Sequence, residues 1–337
     1  MPWRARQGES ADAYRVWLSE IMLQQTTVAA VIPYFERFIA RFPTVEALAD
    51  APADAVMEAW AGLGYYARAR NLHACAKQVA AAGSFVGDLD TLRALPGVGV
   101  YTAAAVGSIA FGLPVVPVDG NVERIVARIY GIDTPLPGAK PAIAKAAARL
   151  GDNDAARSRP ADFTQALFDL GATICTPRAP ACCLCPWRQS CRAHALGDPG
   201  RLPVKPPKKP RPVRHGAQFW LQDTNDRVLV RRRPPKGLLG GMLEFPGTDW
   251  RDQPWGRAEA IGCAPQIAAW RLAGHAVHVF THFEVRLDVY AAEVALIEAE
   301  GAMLPILELD RAALPTVMRR CAHVATLAGS KMGFTSY

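Results

Sequence analysis

Five of the eight cysteines of this 337-residue chain fall within 17 positions: Cys175, Cys182, Cys183, Cys185 and Cys191. Structural disulfides are dispersed rather than bunched. The first twenty residues carry charges throughout and contain no apolar segment of an export signal. A metal or cluster site in a reducing compartment fits this pattern. Four of the five are spaced C-x6-C-x2-C-x5-C, from Cys175 through Cys182 and Cys185 to Cys191. Four thiolates on one compact loop can surround a [4Fe–4S] cluster. Zinc sites more often show two C-x2-C knuckles, and here there is one. A zinc loop and reduced, buried thiols stay open as alternatives at this point. Cys183 lies inside the knuckle and is expected to be a spectator.

The rest of the chain divides around that loop. Residues 12–195 read as mostly helical. Trp17, Ile21, Val28, Ile32, Phe35, Ile39 and Phe42 form one stripe at helical spacing, with Pro33 expected to open a second helix. Residues 65–82 form another helical stretch, closed by Gly83. Val122, Ile125, Val126 and Ile129 make an apolar face ended by Gly131, and Phe163, Leu167, Leu170 and Ile174 lead into the cysteines. The character changes at Asp198. Five prolines fall between Pro203 and Pro212, among Arg201, Lys205, Lys208, Lys209, Arg211 and Arg214, which predicts a stiff, extended linker. Beyond it, Ala217–Leu221, Arg227–Arg231 and His275–Val289 alternate or run β-branched, as strands do, and residues 311–328 look helical. The expected organisation is a helical domain at 1–198, a Pro/Lys/Arg-rich linker at 199–215 and an α+β domain at 216–337. No stretch reaches the ~18 apolar residues of a membrane span, so no membrane partner is expected and the location is expected to be cytoplasmic. Lys plus Arg number 38 against 31 Asp plus Glu. The excess of +7 suits a polyanionic partner such as nucleic acid, although any soluble protein of basic pI shares it.

Three further features carry chemistry. Leu95-Pro96-Gly97-Val98-Gly99 separates two helical stretches. Its glycines permit φ > 0 and close backbone approach, and the amides opening the second helix form an anion site. Asp119, in Val115–Val122, stands at the start of a helix, where an aspartate is a natural N-cap. Glu20 has Val16, Trp17, Leu23 and Gln24 as its helical neighbours. An acid facing that environment is desolvated and its pKa rises, unless it lies on the polar edge of the helix.

The cysteine spacing after DLGATIC (Asp169–Cys175) closely resembles the cluster loop of the endonuclease III superfamily of DNA repair glycosylases. The LPGVG turn resembles the helix-hairpin-helix of the same superfamily, which grips the DNA backbone without reading sequence. VWLSEIMLQQT (Val16–Thr26) and Gly62-Leu63-Gly64-Tyr65-Tyr66 resemble motifs of the MutY adenine DNA glycosylases within it. Residues 237–247 resemble the Nudix-like domain of that family, and residues 248–270 lack the glutamate pair of a hydrolytic Nudix site. Phe280-Thr281-His282 is similar to the family's lesion-reading Phe-Ser-His triplet, with threonine keeping the hydroxyl and adding a methyl.

The resemblance implies a mostly α helix-hairpin-helix glycosylase domain with a [4Fe–4S] loop, joined to an α+β Nudix-like domain. It implies a monomeric, monofunctional enzyme that excises adenine mispaired with 8-oxoguanine or guanine in double-stranded DNA. In that reading Glu20 protonates the departing adenine and Asp119 stabilises the oxocarbenium-like sugar. Tyr101 stands where bifunctional relatives carry a Schiff-base lysine, and it helps to order the carboxylates. Asn121 and Arg124 connect Asp119 to the cluster loop, whose ligands are Cys175, Cys182, Cys185 and Cys191. Gln25, Leu63 and Tyr65, with the backbone at Gly97, Val98 and Gly99, contact DNA, while Phe280, Thr281 and His282 read the opposite base. Trp3 resembles an adenine-pocket tryptophan. Relatives carry a helix before it, whereas here the sequence opens on Met-Pro-Trp-Arg, so either the sequence starts late or this pocket wall is built differently. Two other classes remain. A Nudix-type nucleotide hydrolase with a DNA-binding appendage is opposed by the missing glutamate pair. A non-catalytic DNA-binding module is opposed by the presence of both Glu20 and Asp119.

Overall fold

The computed structural model describes residues 1–6, 8–207, 210–234, 237–310 and 312–330. Its contacts divide the chain into two compact units, one of Met1–Ala51 with Asn71–Lys208, the other of Pro52–Arg70 with Lys209–Tyr337. Of the expected linker, Lys208 and Lys209 lie outside the described residues. Its first residues are not free: Leu202 is buried and its carbonyl accepts a hydrogen bond from Arg128 Nε at 3.0 Å. Its last three already belong to a strand.

The helices run α1 (Ala13–Leu23), α2 (Val28–Arg41), α3 (Val45–Asp50), α4 (Ala53–Ala59), α5 (Ala67–Ala82), α6 (Leu89–Ala94), α7 (Val100–Phe111), α8 (Gly120–Tyr130), α9 (Lys140–Gly151), α10 (Asp154–Ser158), α11 (Pro160–Asp169) and α12 (Arg192–Ala195). Among the described residues no helix is long and apolar enough to cross a membrane. Asp12 caps α1 by accepting from the Tyr14 and Arg15 amides. Seven consecutive buried positions from Val16 to Met22, with Tyr14, leave α1 almost wholly buried, so it is a core helix rather than an amphipathic surface one. Pro33 does not open α2. The break falls at Gln25, whose φ of 59° turns the chain, and Thr27 then caps α2 through the Ala30 amide. Pro33 is accommodated because it lies on the exposed side, where the carbonyl that loses its partner can be hydrated. α8, α9 and α11 share an apolar core of Val122, Ile125, Val126, Ile143, Leu167 and Leu170. A wide, π-helical turn at Leu170–Ile174 then delivers Cys175.

The second unit holds a six-stranded mixed sheet of β1 (Val213–Asp223), β2 (Arg227–Arg232), β3 (Leu243–Glu244), β4 (Arg271–Val279), β5 (Glu284–Val294) and β6 (Ala302–Pro305), with α13 (Arg257–Ile261) and α14 (Thr316–Ser330). The order is β3-β2-β1-β5-β4, and β6 pairs with β2. β1 and β5 are parallel in a register from Val213 opposite Glu284 to Asp223 opposite Val294, and the other pairs are antiparallel. Both faces are covered. Trp220, Val230, Val285 and Leu287 meet α14 through Val317, Met318 and Cys321, while Ala217, Phe219, Leu221 and Tyr290 pack with Trp270. The helix expected from 311 starts instead at Thr316. Residue 311 lies outside the described residues, and Pro315 biases Leu314 away from helical geometry. The run His275–Val289 is two strands rather than one, broken at 280–283.

Candidate active site and DNA interface

A cleft of about 990 Å³ opens in the helical unit and brings together Trp3, Arg4, Glu20, Tyr101, Asp119 and Asp169. Glu20 projects from α1 and is only 6% exposed. Tyr101, two residues past the Gly97–Gly99 turn, donates its hydroxyl to Glu20 Oε2 at 2.7 Å. Burial pushes the Glu20 pKa up from 4.5 to about 7, and the nearby negative charge of Asp119 pushes the same way, against the Tyr101 hydrogen bond and Arg4. Glu20 therefore holds a proton near neutral pH, as a general acid must. Burial and the Glu20 carboxylate drive the Tyr101 phenol far above its ordinary pKa, so it acts only as a donor to Glu20.

Asp119 caps α8 as its position suggested. Its Oδ1 accepts from the amides of Asn121 at 2.9 Å and Val122 at 2.7 Å, and Oδ2 accepts from Asn121 Nδ2 at 3.2 Å. The Asn121 amide is held in turn. Its Oδ1 accepts from Arg124 Nη2 at 2.9 Å, and Arg124 also donates to the carbonyls of Gly171 and Cys175, both at 2.7 Å. A Cβ on Gly171 would lie 2.6 Å from the Asn121 Cβ, so only glycine admits this approach. Asp119 is thus tied through two side chains to the cysteine loop.

Cys175, Cys182, Cys185 and Cys191 line one small cavity with Ile125, Leu170 and Ile174, while Cys183 is exposed outside it. Burial raises the Cys182 and Cys185 thiols, and the neighbouring sulfurs add to it. Among the described residues no three His, Cys, Asp or Glu side chains converge on a single ion. Four sulfurs lining one cavity are a donor set that can hold a [4Fe–4S] cluster. Arg128, 1% exposed, braces the loop through Thr176 O at 2.7 Å, Pro177 O at 2.8 Å and Cys175 Sγ at 3.3 Å.

The hairpin uses one left-handed glycine, not two. Gly97 has φ 76°, and a Cβ there would meet the Asn71 Cβ at 2.7 Å; Gly99 is extended and stands as N-cap of α7. Val98 is buried and its amide closes the turn onto Leu95 O at 3.1 Å, so the residue supports the hairpin rather than presenting a donor. Gly97 and Gly99 are exposed.

Gln25 and Tyr65 are exposed and share left-handed backbones, φ 59° and 49°. Such strain in non-glycine residues concentrates at functional positions. Leu63 departs from expectation: at 7% exposure its side chain is in the interior of the turn that presents Tyr65. Phe280, Thr281 and His282 form the β4–β5 connection, not part of a strand. Phe280 packs on Trp250 and Phe283 at 5.7 and 4.8 Å between ring centres, while Thr281 and His282 are exposed. In the Nudix-like segment Glu244 is engaged by Arg231 and Arg233.

Sequence reasoning missed two pairings. Arg4 grips Asp169 with both ends of its guanidinium, at 2.8 and 2.6 Å, inside the cleft. Residues 52–70 belong with the sheet, through Asp54 with Arg232 at 3.2 Å and Arg70 with the Gly240 carbonyl. Neither had a local signal.

Residues 18–149 match the model of the HhH-GPD superfamily of base excision DNA repair proteins, and residues 217–324 match a NUDIX domain. Adenine DNA glycosylase of Homo sapiens is 32% identical over 98% of this chain and 73% of its own length. The enzyme of Arabidopsis thaliana is 34% identical over the whole chain and 60% of its own length. Among solved structures, a thermostable thymine-DNA glycosylase superposes with a TM-score of 0.50 at 28% identity, over 58% of this chain and 88% of that one. A helix-hairpin-helix repair glycosylase joined to a Nudix-like domain, with relatives of one activity along nearly its full length, the chain belongs to the adenine DNA glycosylase family.

Proposed function

We propose that this enzyme excises adenine paired with 8-oxoguanine, and with guanine, from double-stranded DNA. The observation that carries the mechanism is the pair Tyr101–Glu20: a buried carboxyl with a pKa near 7 and an oriented proton. Adenine inside a duplex is out of reach and must be flipped into the cleft, at a cost of about a few kcal/mol. Gln25 and Tyr65 enter the stack and hold that state. Glu20 gives its proton to the adenine ring, the glycosidic bond breaks, and Asp119 stabilises the cationic sugar. Water completes an abasic site. Tyr101 offers no amine for a Schiff base, so the strand stays intact. Cys175, Cys182, Cys185 and Cys191 hold a [4Fe–4S] cluster, which when bound supplies a rigid core to the loop that anchors Arg124. Phe280, Thr281 and His282 face the opposite base. The enzyme works as a monomer in the cytoplasm.

The test is a duplex carrying one adenine opposite 8-oxoguanine. Strand scission is expected only after alkali, with little covalent complex trapped by borohydride; scission without alkali overturns the monofunctional mechanism. The protein should contain about four irons per chain. The Cys183→Ser variant should keep them, and stoichiometric zinc instead of iron would sink the assignment.

A further inference from the structure

Two exposed side chains of the second unit, 216 residues apart in sequence, touch: the hydroxyls of Tyr65 and Thr281 are 2.5 Å apart. Each sits on a braced loop. Tyr65 has φ 49°, a region unfavourable to any residue with a Cβ, just after Gly62 at φ 100° and Gly64 at φ 71°. Its surroundings hold it there. Trp60 Nε1 donates to Gly64 O at 3.2 Å, Arg68 Nη2 donates to Leu63 O and Gly64 O at 3.2 Å, and the Arg68 guanidinium lies over the Tyr65 ring at 5.4 Å. Thr281 is fixed from the other side. The Phe280 amide closes the turn onto Phe283 O at 2.8 Å, and the Phe280 ring is wedged against Phe283 and Trp250. The remaining freedom of Tyr65 is the swing of its half-exposed ring, and the Thr281 hydroxyl removes it.

We infer that Thr281 is a positioning residue for Tyr65, so that the side chain entering the duplex and the turn facing the opposite base move as one piece. This rests on the proposed DNA-facing roles of Tyr65 and Phe280–His282. The contact needs a hydroxyl at 281 and a phenol at 65, and it does not need the threonine methyl. A serine should therefore replace Thr281, whereas a valine of the same shape should not. Tying the ring down before DNA arrives spares the complex the cost of ordering it.

The test is a double-mutant cycle on the full-length protein. Dissociation constants are measured by fluorescence anisotropy on duplexes carrying an abasic-site analogue opposite 8-oxoguanine or guanine, which avoids turnover. Thr281→Val and Tyr65→Phe should each weaken binding by about two- to tenfold, the range of one hydrogen bond. The double variant should lose no more than the worse single variant, because both remove the same bond. Thr281→Ser should bind as the parent does, and all variants should melt at the parent temperature. Additive losses, no loss in either single variant, or a loss in Thr281→Ser equal to that in Thr281→Val overturns the inference. If the parent protein binds the two duplexes equally, the 8-oxoguanine reading falls, and the cycle still decides whether the two hydroxyls are coupled.

Discussion

The cleft around Glu20 and the turn around Thr281 solve opposite problems. In the cleft, Glu20 is withdrawn from water and the polar groups have fixed partners: Tyr101 for Glu20, three N–H groups for Asp119, Asp169 for Arg4. In the second unit Tyr65, Thr281 and His282 stand in solvent on a stiff support. Proton transfer gains from burial because desolvation is what lifts Glu20 toward neutrality. Recognition of a base gains from projection, because the group must reach an edge outside the protein. In the proposed mechanism, burial thus goes with the proton donor and exposure with the residues that face the opposite base.

Breaking the buried half should have the larger consequences. Glu20→Gln keeps shape and loses the proton, so single-turnover excision should fall by at least ~10²-fold while binding of a mispaired duplex holds. Near-normal excision would show that burial of Glu20 is structural. The same substitution should stabilise the fold. The folded pKa of about 7 lies above the ordinary 4.5, so the folded protein binds the extra proton. Wild-type stability then falls as pH rises from about 4.5 to about 7 and stays reduced above it. The cost at pH 8 is about 3 kcal/mol by the linkage of pKa to free energy. Melting temperatures of the two proteins should converge near pH 4 and diverge by pH 8; a constant gap contradicts the raised pKa.

The exposed half should give a smaller, selective change. His282→Ala should lower the preference for 8-oxoguanine over guanine by about tenfold, within the ~1–3 kcal/mol of a base contact, and leave the slower substrate nearly unaffected. Equal losses on both duplexes would assign His282 to general DNA binding. The smallest effect sharpens the comparison inside the cleft. The Tyr101 hydrogen bond holds the Glu20 pKa down against burial, so Tyr101→Phe should move it up. Activity that needs protonated Glu20 falls as pH rises through that pKa, so the alkaline limb of the rate profile should shift to higher pH. A shift the other way would mean that Tyr101 does not act through Glu20.

What could be read in the sequence was whatever a short segment fixes alone. The cysteine spacing, the Asp119 cap and the placement of Glu20 among apolar helical neighbours are local, and each is found where expected. Pro33 misled because a proline reads as a helix start, whereas the Thr27 cap and the turn at Gln25 decide the boundary. Leu63 misled because a motif gives position and not direction: its neighbour Tyr65 points out while it points in. The Arg4–Asp169 and Tyr65–Thr281 pairs, 165 and 216 residues apart, were closed to any window of local pattern. Only tertiary packing creates them.

The assignment of residues 52–70 to the unit completed by residues 209–337 also sets a timetable. The segment leaves the ribosome early, and its partners follow after the whole intervening stretch of 71–208. At ~5–20 residues per second that interval is roughly 7–28 s. The core of the sheet waits longer still, because β1 pairs in parallel with β5, and Val213 finds Glu284 only when that strand has been made. Through all of this Asp54, Tyr65 and Arg70 wait for Arg232, Thr281 and Gly240. The segment 52–70 therefore spends that interval without the partners that complete its unit, and a slowed ribosome lengthens the wait.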